Sequence, residues 1–240
     1  REIAAALDIY EIREENLDGL EGALITASDK SEGAILVNMN QHEMRKRYTI
    51  AHELGHFLNP WHKANSPEGL KCRFQDMRIE NSNRNNRAAK MEAEANEFAA
   101  ELLMPPSLVK AFLRRRLDVS INDILDLSAH FGVSKEAAAR RYINYAREPI
   151  AVIFSKDQEI RYVKSHSEFP LLDVRGGMSL PWGCVARDEK LQVGDISDWN
   201  EIESDQWLKK PHGQILYEQT LFQQNGYKMT ILTYEDDAEE

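Results

Sequence analysis

Apolar and polar positions alternate in short runs over the first forty residues and then change period. Residues 7–12, 22–27 and 33–38 are brief apolar or alternating stretches parted by Asp18-Gly19 and Ser28-Asp29-Lys30, a pattern that predicts three strands. From about Gln41 to Arg45 the period becomes helical, and Asn59-Pro60 ends that helix because proline cannot continue it. Trp61 to Asn86 has no clear period; Pro67, Gly69 and the polar run 81–86 predict a long, mobile loop. Ala88, Met91, Ala95, Phe98, Ala99, Leu102 and Leu103 then recur at three- and four-residue steps, predicting a helix over 87–104 that Pro105-Pro106 stops. Residues 107–147 read as helical. Within them 122–142 has the form of a helix-turn-helix, with Ser134 placed to cap the second helix. From Pro149 the pattern turns to strands at 150–154, 160–163, 214–217 and 227–233, with turns at Lys156-Asp157, Arg175-Gly176-Gly177 and Asn225-Gly226. The fold class expected is α+β.

The first long helix carries the chemistry, in His52-Glu53-Leu54-Gly55-His56. Helical residues four apart differ by about 40° around the axis, so both imidazoles can converge on one metal ion. Glu53 then stands beside the metal, where a carboxylate can take a proton from water and hand it to a leaving amine. Ile50, Ala51, Leu54, Phe57 and Leu58 make the flanking positions apolar, as in a buried helix carrying ligands into a cleft. Two histidines leave a site one protein ligand short, and the second helix can supply it. Glu92 is the expected third ligand, with Asn96 one turn on as a hydrogen-bonding partner for a ligating imidazole. Glu94 is the competitor: it lies about 200° from Glu92 around the helix, so only one of them can face the metal. The strand at 33–38, just before the first helix, is expected to offer an edge to an extended substrate peptide.

Charge and cysteine content narrow the class. A net charge of -10 argues against a protein that coats nucleic acid non-specifically. Residues 150–240 carry 9 basic against 17 acidic side chains, while 63–90 holds seven basic and three acidic ones, a local excess able to steer an acidic ligand. Two cysteines, Cys72 and Cys184, are too few for a disulfide framework. No run approaches the roughly 18 apolar residues of a membrane span and no signal-like segment opens the chain, so a cytoplasmic protein is expected. The chain opens at Arg1, which is read as a start inside a longer natural one.

The run 47–56, followed some forty residues later by 92–105 (Glu92-Ala93-Glu94-Ala95-Asn96-Glu97-Phe98-Ala99-Ala100-Glu101-Leu102-Leu103-Met104-Pro105), resembles the ImmA/IrrE family of zinc metallopeptidases over roughly 20–147. The resemblance implies a zincin-like metallopeptidase core over 1–106 and a helix-turn-helix-like segment over 107–148; residues 149–240 fall outside it and are expected, from their strand pattern, to form a separate α+β or mostly β domain, with a sensor or partner-docking role as the expectation. It implies zinc held by His52, His56 and Glu92 with Glu53 as base. It also implies a protein substrate, a helix-turn-helix transcriptional repressor whose cleavage releases DNA-damage, mobile-element or phage-defence genes.

Three further expectations attach to the site. Cys72, in the predicted loop between the ligand helices, is a candidate inhibitory zinc ligand at the open fourth position. The basic loop and the family's link to DNA damage suggest single-stranded DNA as the activating signal. Tyr48 and His62 are candidates for stabilising the oxyanion. The helix-turn-helix lacks base-reading side chains early in its second helix, where Lys135, Glu136 and three alanines stand. It is therefore expected to be a structural pair packed on the core, with Arg114, Arg115, Arg116, Arg140 and Arg141 as the route to any nucleic acid. The rival reading is a non-catalytic regulatory module with a structural zinc that binds DNA or a repressor.

Overall fold

A computed structural model describes residues 2–63, 70–73, 76, 86–188, 190–211 and 213–235. It is mixed α+β, with six helices and two sheets among the described residues. The chain falls into two compact units, residues 1–108 with 131–134, and residues 109–130 with 135–240.

In the first unit a short α1 (Glu2–Ala5) leads into β1 (Ile9–Glu15), β2 (Gly22–Thr26) and β3 (Gly33–Asn38), then α2 (Glu43–Leu58), β4 (Leu70–Cys72) and α3 (Arg87–Leu103). The sheet order is β1-β3-β2-β4: β3 runs parallel to β1 and antiparallel to β2, and β4 adds antiparallel to β2. The segment 33–38 is therefore an interior strand with both edges paired. It cannot receive a substrate, contrary to the expectation above; the edge beyond β2 is the one next to the antiparallel strands. Three residues within the stretch expected to be a loop, 70–72, form β4, because Leu70 and Cys72 bury their side chains while Lys71 points out. The rest of that stretch lies largely outside the described residues.

α2 is buried on nearly all sides from Thr49 to Phe57, which suits a helix set between sheet and neighbour. The His42 side chain caps its first turn, accepting from the Met44 N–H at 3.3 Å. At its other end the Lys30 ammonium donates to the carbonyls of His56 (2.5 Å) and Asn59 (2.6 Å), satisfying orphan acceptors where the helix dipole is negative. α3 starts at an Asn86 cap, whose Oδ1 accepts from Ala89 N–H at 3.2 Å. It packs on α2 at Gly55, where a Cβ would stand 3.1 Å from Ala95 Cα and from Phe98; the missing side chain sets how closely the helices approach. Ile9, Leu24, Ile35, Val37, Ile50, Leu54, Phe57 and Met91 form the shared core.

The second unit contains α5 (Ile121–Phe131, whose last residue falls in the first unit), α6 (Lys135–Ile143) and a five-stranded antiparallel sheet, with α4 (Pro106–Leu113) straddling the division. Its strands are β5 (Ala151–Lys156), β6 (Glu159–Ser165), β7 (Asn200–Ile202), β8 (Ile215–Phe222) and β9 (Tyr227–Glu235), in the order β6-β5-β9-β8-β7. The helices of the helix-turn-helix-like segment make contacts with this sheet within the second unit. Ile121 N–H donates to Gln219 Oε1 (2.9 Å), Arg161 pairs with Glu136 (3.3 Å), and Arg140 lies over Tyr162. Only its turn, 131–134, belongs with the first unit, where Arg47 donates to the Phe131 and Gly132 carbonyls. Among the described residues no helix is long and apolar enough to cross a membrane.

Candidate metal centre

α2 and α3 bring three ligand-type atoms to one point. His52 Nε2 and His56 Nε2 are 3.1 Å apart, and Glu92 Oε2 lies 3.2 Å from the first and 3.5 Å from the second. Zinc bonds of 2.0–2.2 Å in tetrahedral array separate ligand atoms by about 3.3–3.6 Å, so this triangle has the edge length of one face of such a site. All three side chains reach it from buried or nearly buried positions, and Glu92 Oε2 has no hydrogen-bond partner among the described residues despite its nearness to both rings. The donor set, two imidazoles and a carboxylate, fits zinc. Among the described residues the one group of metal-holding geometry is His52, His56, Glu92 and Cys72, with ligand atoms all within 4.8 Å of one another.

Glu53, directly after the first histidine, is wholly buried, and neither carboxylate oxygen has a hydrogen bond among the described residues. Burial pushes its carboxyl up to about 7, against the opposing pull of His52. Gly22 of β2 stands against it: a Cβ there would sit 2.4 Å from Thr49 Cγ2 and 3.0 Å from Glu53 Oε1. Nothing in the sequence pattern marked Gly22, since the demand for glycine arises from a helix that meets the strand only in the folded chain.

Glu92 is itself desolvated, yet the pull of the nearby His52 and His56 rings outweighs that and holds its carboxyl down at about 2. Burial pulls the His52 imidazolium down, but Glu92 and Glu53 more than offset it and the net direction is up; for His56 burial prevails and the direction is down. The Cys72 thiol, 1% exposed, is raised by burial and by the carboxylates of Glu53 and Glu92. A cation at the centre is what would hold it as thiolate.

Glu94 faces elsewhere. Its Oε2 meets His62 Nε2 at 2.8 Å and accepts from Asn59 Nδ2 at 3.2 Å, while His62 Nδ1 lies 3.0 Å from His56 Nδ1. These contacts form a relay with consistent tautomers: Glu94 accepts from His62 Nε2–H, and His62 Nδ1 accepts from His56 Nδ1–H. His56 Nε2 is left with its lone pair facing the centre. Both ring nitrogens of His62 are thus committed behind His56. The relay was not anticipated from sequence; the six-residue gap between the two histidines crosses the end of α2 at Asn59, where no helical spacing applies.

The Tyr48 hydroxyl donates to Asn96 Oδ1 at 2.9 Å, and the Asn96 amide donates to the Asp76 carbonyl at 3.0 Å. Asn96 stands close enough to His52 to favour its protonated form slightly, though His52 Nδ1 is buried with no hydrogen-bond partner among the described residues. Of the arginines offered for nucleic acid, Arg116 pairs with Asp123 (3.0 Å) and Asp126 (2.7 Å), Arg140 with Glu136, and Arg141 lies over the Tyr145 ring. His42 caps a helix, His130 packs on Phe112, and His212 lies outside the described residues.

A buried His-His-Glu triangle with a second buried carboxylate beside it, carried by two packed helices against a mixed sheet, defines a metallopeptidase-like domain. The model of the Peptidase_M78 family, described as the IrrE N-terminal-like domain, matches residues 10–142, more than half of the chain, and the chain belongs to that family. No curated protein matches it.

Proposed function

We propose that the chain is a zinc-dependent endopeptidase whose metal ligands are His52, His56 and Glu92 and whose general base is Glu53. The observation that carries this reading is the ligand triangle of 3.1, 3.2 and 3.5 Å, followed in sequence after its first histidine by a buried carboxylate with no hydrogen bond among the described residues. Zinc, when bound, supplies Lewis acidity that polarises the scissile carbonyl and acidifies water. Glu53 takes the proton from the attacking water and delivers it to the leaving amine nitrogen, and its apolar surroundings favour holding that proton between the two transfers. Glu94 and His62 keep the His56 ring in the ligating tautomer, and Tyr48 with Asn96 braces the His52 side of the helix pair.

The substrate class proposed is a helix-turn-helix transcriptional repressor, cut in the cytoplasm so that stress, mobile-element or phage-defence genes are expressed. Membership of the family supports a peptidase. The two free, buried cysteines support a reducing compartment. Single-stranded DNA is the proposed activator, supported by the excess of basic residues over 63–90. The test uses a small helix-turn-helix regulator encoded beside this chain as substrate. Glu53→Gln should retain zinc and lose cleavage by about 10²–10⁴-fold, the usual contribution of a positioned base; undiminished cleavage overturns the assignment.

The second reading, a regulatory module with a structural zinc, is favoured by one observation. Cys72 belongs to the ligand group, and four protein ligands close a structural site. Under that reading Glu53→Gln has no effect in cells.

A further inference from the structure

The first unit's sheet ends on one side at β1 and on the other at β4, which covers β2. β4 is short and antiparallel, with Gly22 opposite Cys72, Ala23 opposite Lys71 and Leu24 opposite Leu70; the Glu21 N–H also donates to the Cys72 carbonyl at 3.0 Å. An extended peptide is recognised by adding it as a strand to a sheet edge, its backbone groups pairing with the edge strand. β2 is the strand that touches the proposed base, through Gly22. The edge best placed to present a peptide to Glu53 is therefore already taken by the chain itself.

The same three residues end on Cys72. Its sulfur belongs to the ligand group, within 4.8 Å of the other three ligand atoms. A thiolate at about 2.3 Å from zinc, beside nitrogen and oxygen ligands at 2.0–2.2 Å, stands about 3.6 Å from each of them, so closing the fourth bond needs movement of no more than about an ångström. Glu53, wholly buried and with neither oxygen hydrogen-bonded among the described residues, is near enough to His52, Cys72 and Glu92 for each to act on its carboxyl. Cys184 shows what a cysteine without this setting looks like: it is also buried but belongs to no such ligand group among the described residues.

We infer that Leu70–Cys72 is an internal stand-in for substrate: its backbone takes the β2 edge and Cys72 Sγ takes the fourth coordination position, so that the resting enzyme is closed. This rests on the metallopeptidase reading above. When the sulfur–metal bond forms, the thiol proton goes to solvent; when the bond breaks, the sulfur takes a proton back and water and the substrate carbonyl gain the position. A three-residue edge strand with an exposed central lysine is an element that opens at low free energy. Anything that draws β4 off β2 therefore uncovers the substrate edge and the metal together.

The full chain loaded with zinc, or with cobalt(II), reports on this directly. X-ray absorption at the zinc edge should show one sulfur at about 2.3 Å, and the cobalt form should show a thiolate-to-metal charge-transfer band in the near ultraviolet. Cys72→Ala should lose both signals while binding one metal per chain, and should cut the neighbouring regulator at least tenfold faster than the parent chain. Lys71→Pro, which disfavours pairing of β4, should weaken the charge-transfer band at unchanged metal content. One metal per chain with no sulfur in its shell overturns the inference and leaves the peptidase reading standing. A full band in Lys71→Pro overturns the role given to β4. A chain that binds no metal removes the reading beneath both.

Discussion

Each unit of this chain buries a glutamate beside a cysteine, and the two pairs differ in what surrounds them. In the second unit Glu218 is as inaccessible as Glu53, and burial pushes both carboxyls up to about 7. Cys184 lies near Glu218 with its thiol raised to about 12, as Cys72 lies near Glu53 with its thiol raised also. Glu218 Oε1 accepts from the Val185 N–H at 2.5 Å, and the group sits in a core with Trp207 and Leu216. Among the described residues Glu53 has no such donor, and it lies near His52 and Glu92, whose ligand atoms form one triangle with that of His56. A displaced pKa is therefore common to core and site. Convergence of ligand atoms on one point is what separates them.

The strongest way to break that comparison is to remove the convergence. Glu92→Ala should lower zinc affinity by about 10³-fold, the scale of the ~4 kcal/mol lost when one member of a buried charged set is removed. Glu218→Ala should leave zinc affinity unchanged. Titration with a chromophoric chelator as competitor measures both, and equal effects of the two substitutions would erase the distinction drawn here.

A pH series sharpens the other side. The Glu218 carboxyl is raised in the folded state above its value of about 4.3 in an unfolded chain, so the folded state binds the proton more tightly. Its contribution is fully favourable below about pH 4.3 and is lost as pH rises through about 7. The loss is on the order of 4 kcal/mol at most. Thermal unfolding between pH 5 and 8 should show stability of the second unit falling with pH, and Glu218→Gln should flatten the slope. A slope unchanged by the substitution would remove Glu218 as its source.

The smallest effect expected is behind the metal. Glu94→Ala frees His62 and so loosens the tautomer of His56, which should lower zinc affinity 10–100-fold, the range for residues that orient a ligand. Equal losses from Glu94→Ala and Glu92→Ala would mean that both carboxylates ligate.

Much of the site could be read from spacing, because helical periodicity is a local property. His52 and His56 lie one turn apart, and the angular argument that separates Glu92 from Glu94 by about 200° describes where the two carboxylates go, one to the imidazole pair and one to His62. Strand positions 33–38 were legible from composition, but their place inside the sheet was not, since pairing order depends on contacts between distant residues. The same limit hid β4: three residues carry no periodicity, and Leu70-Lys71-Cys72 becomes a strand only because β2 offers it an edge. Lys30, Gly22 and the His62–Glu94 pair were missed for a related reason. Each acts on an element far away in sequence, and a lysine, a glycine or a lone histidine has no signature until that element is in place.

The most direct measurement is the metal content of the purified full chain after zinc loading and removal of excess. The account predicts one zinc per chain, reduced to none in the folded triple variant His52→Ala, His56→Ala, Glu92→Ala. A folded parent chain that holds no zinc, or a triple variant that holds as much as the parent, would contradict it.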